Sequence, residues 1–163
     1  MKTLYLLRHA HSPIIRGGQD FERPLGPEGV DSLERVAENL QDLGSLPTHV
    51  VCSGSRRTRE TLAGIESILP NEVKVHYDDD LYLAKGSYVI DVIEKSPPSA
   101  EAVLIISHGP TVEEAARWLL GMEGRVGAPV PFTSGAFGRF GLEIDAWTDV
   151  YQGCAVSHTV LSP

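Results

Sequence analysis

Two histidines stand directly behind short apolar runs. Thr3-Leu4-Tyr5-Leu6-Leu7 leads into Arg8-His9-Ala10, and Ala102-Val103-Leu104-Ile105-Ile106 leads into Ser107-His108-Gly109. A third run, His49-Val50-Val51-Cys52, opens into Ser53-Gly54-Ser55 and the arginines Arg56, Arg57 and Arg59. Guanidinium groups suit bidentate recognition of phosphate oxygens. An unprotonated imidazole can take a phosphoryl group covalently and so split one transfer into two steps. Brought together, these residues would form a site for a dianionic phosphoryl group, whose transfer depends on positioning and charge stabilisation.

Such convergence requires a sheet. The runs ending at Leu7 and Ile106 are continuously apolar rather than alternating, the pattern of strands covered on both faces of a parallel sheet. In open α/β sheets the ligand crevice lies beyond the carboxyl ends of the strands, where His9, His108 and the arginines would meet. Pro27, with Glu28 beside it, predicts a helix start, and Val30, Leu33, Val36, Ala37, Leu40 and Leu43 recur at helical spacing up to Gly44. Further helices are predicted from Arg56 to Leu69, Tyr88 to Glu94 and Thr111 to about Leu120, and a short strand from Val73 to Tyr77. A loop is predicted from Gly124 to Pro131, and Ala136 to Ile144 and Ala155 to Leu161 read as two closing strands, antiparallel at one edge. The expected architecture is α/β: a three-layer α/β/α sandwich around a mainly parallel central sheet. No repeat or linker divides the chain, so residues 1–163 are expected to form one domain.

Composition narrows the partners. Fourteen basic against 22 acidic side chains give a net charge of −8, which disfavours nonspecific binding to nucleic acid or an anionic membrane. The N-terminal apolar run is five residues long and is cut by Arg8, too short for a signal peptide or a membrane span. Cys52 and Cys154 lack partners at metal-ligand spacing and read as reduced, partly buried thiols. The expected location is the cytoplasm.

The ordered motifs add a resemblance that covers nearly the whole chain. Met1 to Ser12, Arg23-Pro24-Leu25, Gly29, Ser53 with Arg57 and Thr61, Leu81-Tyr82-Leu83-Ala84 and Ser107-His108-Gly109-Pro110 follow one another as in the histidine phosphatase superfamily. Within that phosphoglycerate-mutase-like family the chain resembles the small SixA-type phosphohistidine phosphatases. The resemblance implies a covalent phospho-His9 intermediate, with Arg8, Arg57 and His108 on the phosphoryl oxygens and Arg23 joining them. It places Ser53 and Gly109 at the phosphate, although Ser53 also suits the commoner role of a helix cap. It implies no cofactor. Arg56 and Arg59 read as solvated helix-face charges, and His11 as a rim residue.

Two departures bear on substrate. Related mutases and many phosphatases carry a glutamate after the third strand as general acid, and Leu83 stands at that position. A phosphomonoester needs such an acid for its alkoxide leaving group, whereas phosphohistidine leaves as an imidazole. Asp20 and Glu22 stand as candidate substitutes. The chain also lacks room for a helical cap insertion over the site, which suits a protein-borne phosphohistidine. The expectation is metal-independent hydrolysis of phosphohistidine on a protein, with small phosphomonoesters as the alternative substrates. A noncatalytic phosphate-binding module remains a rival, as does a metal-dependent hydrolase built on His9-x-His11 and His108. Nothing in the sequence addresses oligomeric state.

Overall fold

A computed structural model describes residues 1–122 and 130–163. Six strands form one sheet in the order β3-β2-β4-β1-β5-β6. The strands are β1 (Lys2–Arg8), β2 (His49–Ser53), β3 (Lys74–Asp78), β4 (Ala102–Ser107), β5 (Phe137–Leu142) and β6 (Ala155–Leu161). Parallel pairing joins β1 to β4, β4 to β2 and β2 to β3, while β5 runs antiparallel to both β1 and β6. The closing strands therefore extend the sheet past β1 and pair antiparallel at that edge, as expected.

Both faces of the central strands β1, β2 and β4 are covered. Along β1, Leu4 and Leu6 enter one apolar cluster and Tyr5 and Leu7 the other; β4 divides Val103 and Ile105 from Leu104 and Ile106 in the same way. The first cluster receives Val89, Ile93, Val112 and Ala115 from α3 (Gly86–Glu94) and α4 (Thr111–Leu119). The second receives Val36, Leu40, Leu62 and Ile65 from α1 (Pro27–Asp42) and α2 (Arg56–Ile65). This is the three-layer α/β/α arrangement, and burial on both faces explains the unbroken apolar runs Leu4 to Leu7 and Ala102 to Ile106.

Local differences have local causes. Val30 is predicted on the buried face of α1 but is 55% exposed; it lies in the first turn, before the helix meets the sheet. The helix predicted to Leu69 ends at Ile65 and continues as a single 3-10 turn, Glu66–Ile68, ahead of Pro70. Helix α3 starts at Gly86, two residues before the predicted start, where the Gly86 amide donates to Glu114 Oε2 at 2.7 Å. Most of the loop predicted from Gly124 to Pro131 lies outside the described residues. Among the described residues, no helix is long and apolar enough to cross a membrane.

Candidate active site

The order of the sheet gathers the chemistry. β1 lies beside β4 with Arg8 opposite Ser107, and β2 lies on the other side of β4. All three strands end at the same edge, so His9, His108 and the start of α2 meet there. The His9 and His108 rings lie with centroids 5.3 Å apart. His9 is 7% and His108 6% exposed, and Arg57 is 5% exposed.

The loop after β1 fixes His9. Its Nδ1 lies 2.7 Å from the Ala10 carbonyl, so Nδ1 carries the proton and donates, and Nε2 keeps its lone pair. Burial first, then the charges of Arg57, Arg8 and Arg23, push the ring's pKa down to about 4, against a smaller upward pull from the Ala10 carbonyl. The ring is therefore neutral at physiological pH. Arg57 Nε donates to Nε2 over 3.4 Å, so the arginine faces the atom that is free to react. The Ala10 amide donates to Thr61 Oγ1, which ties the loop to α2.

His108 is held through Ser53. Ser53 Oγ lies 2.8 Å from His108 Nε2, and His108 Nδ1 is buried with no partner among the described residues. Burial, then repulsion from His9 and Arg57, lowers its pKa to about 3. An anion between the two rings would reverse that repulsion and favour a proton on His108. Ser53 does not cap the following helix. Ser55 stands at the cap position of α2, and the Ser53 hydroxyl is committed to His108.

The arginines reach the site from three elements. Arg57, in the first turn of α2, donates from Nη1 to the Asp20 carbonyl at 2.8 Å and lies 3.3 Å from Asp20 Oδ2 through Nη2. Arg23 donates through Nε to Asp20 Oδ1 at 3.0 Å and through Nη1 to the carbonyl and hydroxyl of Ser12. Arg8 donates from Nη1 to the Phe132 carbonyl at 2.7 Å, and its guanidinium passes directly over Gly109. A Cβ at Gly109 would stand 2.8 Å from Arg8 Cζ, so glycine there makes room for the arginine.

Of the two candidate acids, Asp20 lies against the arginines and Glu22 lies 3.6 Å from Arg59. Asp20 accepts a 2.6 Å hydrogen bond from the Tyr82 hydroxyl, which with Arg23 and Arg57 lowers its carboxyl pKa below the usual range. An ionised Asp20 suits the orientation of arginines better than donation of a proton. Leu83 holds φ at +60° and is 80% exposed, so the residue at that position supplies no acid to the site. Arg59 is not merely solvated, because its Nε donates to the Gly54 carbonyl at 2.8 Å; Arg56 pairs with Glu60. His11 is exposed, 3.9 Å from Glu28. Among the described residues, no group of three or more His, Cys, Asp or Glu side chains is arranged to hold a metal ion.

Tyr82 is the site neighbour that residue-by-residue reading passed over. Its ring packs edge-on to Phe21 and to His108 and lies 5.7 Å from the Arg57 guanidinium. An isolated tyrosine in a short turn gives no sign of such contacts in the sequence.

An α/β sheet with two histidines and three arginines gathered at its carboxyl edge defines a phosphoryl-handling class of protein. The sequence pattern of the histidine phosphatase superfamily, branch 1, matches residues 4–82. An uncharacterized protein of Mycobacterium tuberculosis is 31% identical over 157 residues, covering 91% of this chain and 94% of that protein. An uncharacterized chloroplastic protein of Arabidopsis thaliana is 32% identical over 130 residues, or 74% of this chain, which spans only 60% of the plant protein's length. The solved structure of a protein from Nakamurella multipartitia, provisionally named phosphohistidine phosphatase SixA, is similar with a TM-score of 0.83 and 28% identity. That match covers 99% of this chain and 96% of the other. The chain belongs to the histidine phosphatase superfamily, in its SixA-type branch, and is by class a phosphatase.

Proposed function

We propose that the protein hydrolyses phosphohistidine carried on another protein, without a metal, through a phospho-His9 intermediate. The substrate's ring takes up a proton, His9 Nε2 attacks phosphorus in line, and the P–N bond breaks to release neutral imidazole. Arg8, Arg57, Arg23 and His108 hold the three phosphoryl oxygens, and Arg57 Nε turns from the His9 lone pair to an oxygen as the group arrives. Ser53 keeps His108 in place, and Gly109 leaves space for Arg8. Water then attacks phosphorus, the bond to His9 breaks, and inorganic phosphate leaves with the neutral ring restored.

The observation that carries this reading is the state of the acids at the corner where a phosphomonoesterase would keep its proton donor. Leu83 stands there exposed, and Asp20 is held ionised by Tyr82 and two arginines. The ring of phosphohistidine can be protonated from solvent before the P–N bond breaks and then leaves as neutral imidazole, whereas an ester oxygen leaves as a poor alkoxide unless a donor is in place. The SixA name of the Nakamurella structure supports the same substrate class. A cytoplasmic location fits that role, because proteins phosphorylated on histidine would be met there.

Phosphate release tests it, measured with chelator present from a phosphohistidine protein and from a panel of small phosphomonoesters. Preferential release from phosphohistidine is expected, with His9→Ala lowering turnover by about 10⁶-fold, the scale seen when a covalent nucleophile is removed. Efficient His9-dependent turnover of a small ester would keep the chemistry and overturn the substrate. Binding retained by His9→Ala in a protein that never turns over would point to a phosphate sensor, and loss of activity with chelator to a metal hydrolase.

A further inference from the structure

Glu113 belongs to no motif, yet the first turn of α4 returns it to the strand end that carries Arg8. Its Oε1 lies 3.7 Å from Arg8 Nη1, with the two side chains 24% and 30% exposed. The same Nη1 donates to the Phe132 carbonyl. One corner of the guanidinium is thus held by an anion and a carbonyl together. The Nε–H lies on the other edge of the guanidinium, beside Nη2, and Arg8 Nε is buried with no partner among the described residues. Two parallel N–H groups on that edge form the fork with which arginine grips an oxyanion.

We propose that Glu113 is a positioning residue that pins Arg8 at Nη1 and so directs its Nε–Nη2 edge at the phosphoryl oxygens. The inference rests on the reading above that Arg8 binds those oxygens. A long side chain at a strand end can adopt many rotamers, and a preorganised clamp has to exclude most of them before substrate arrives. Gly109 closes the space beneath the guanidinium, since the arginine lies across its Cα, and Phe132 and Glu113 fix Nη1. Glu113 in turn depends on Arg8. Burial raises its carboxyl pKa, offset only in part by its own backbone amide and the Arg8 charge, and Oε2 is buried with no partner among the described residues.

A double-mutant cycle on inorganic phosphate binding, read by calorimetry, tests this. The four proteins are wild type, Glu113→Gln, Arg8→Lys and the double variant. Lysine keeps the charge but has no fork to orient. Removing the Glu113 charge also relieves its repulsion of the bound anion, but that gain is common to both backgrounds and cancels in the cycle. The expected result is that Glu113→Gln costs about tenfold more affinity with Arg8 present than in the Arg8→Lys background, within the range of coupling between contacting residues. An equal effect in both backgrounds would overturn the inference and leave the site reading standing. So would unchanged phosphate affinity in Glu113→Gln with ester turnover abolished, the mark of a proton donor. Wild type that does not bind phosphate, or Arg8→Lys that binds it unchanged, would remove Arg8 from the site and this inference with it. Should Glu113→Gln lack a cooperative melting transition, Glu113→Asp, one methylene shorter, enters the same cycle under the same criterion.

Discussion

Arg57 joins three parts of the site through one guanidinium: the lone pair of His9, and the carbonyl and carboxylate of Asp20. Arg57→Ala is expected to raise the barrier of the transfer step by about 2–4 kcal/mol, the worth of a preorganised charge donor. Near-normal kcat/KM would remove Arg57 from the clamp. Arg57→Lys should recover little, because an ammonium cannot face His9 and Asp20 at once. Ser53→Ala acts more gently. It leaves the buried Nε2 of His108 without its partner, and the expected loss is about tenfold in kcat, the worth of one buried hydrogen bond. A stopped-flow comparison at saturating substrate would read it.

At the scale of elements, the site depends on how α1 and α2 press against the loop that follows β1. Gly29, in the first turn of α1, has no space for a side chain, since a Cβ would collide with the His11 carbonyl oxygen. Gly29→Ala is therefore expected to destabilise the fold by about 1–3 kcal/mol and to lower activity by shifting the loop that carries His9. A urea midpoint and kcat measured on the same preparation would check both halves. The strands and helices could be read from the sequence because their apolar spacing reports burial directly. The 3-10 turn ending α2 could not, since Leu62, Ile65 and Leu69 keep helical spacing across it. Leu83 is a similar case: its φ of +60° costs a branched side chain about 1–2 kcal/mol and has no sequence signal, because leucine is not a residue that favours it.

The whole molecule should feel the buried imidazoles through its acid stability. His9 holds a folded pKa of about 4, below its ordinary 6.5, so between those values the unfolded chain binds a proton that the folded one refuses. Stability falls as pH drops through that window and is level above it. His108, lowered to about 3, acts in the same direction. The loss attributable to His9 is on the order of 3 kcal/mol between pH 6.5 and pH 4. Urea denaturation at pH 7.5 and 5.0 should show it, and His9→Ala should flatten part of the slope; an unchanged midpoint would mean that His9 is not buried neutral. Inorganic phosphate should oppose the loss by favouring a proton on His108.

The sequence alone carried the α/β layering and the strand ends that bear His9 and His108, while the phosphoryl roles expected of Arg8, Arg23 and Arg57 came from the family resemblance. The first two follow from short-range pattern: continuous apolar runs mean two-sided burial, and the residue after such a run sits at the crevice. The sequence left Ser53 between a phosphate contact and a helix cap, and the fold sets its hydroxyl on His108 across two strands. Nor could it separate Asp20 from Glu22. Those two acids lie two positions apart in one loop, and only tertiary packing set Asp20 beside Tyr82 and Arg57 and turned Glu22 toward Arg59. Glu113 was equally silent, an acidic residue in a first helical turn until α4 brought it to Arg8. Charge and hydrogen-bonding partners of this kind are set by which distant segments touch, and local residue spacing holds no record of that.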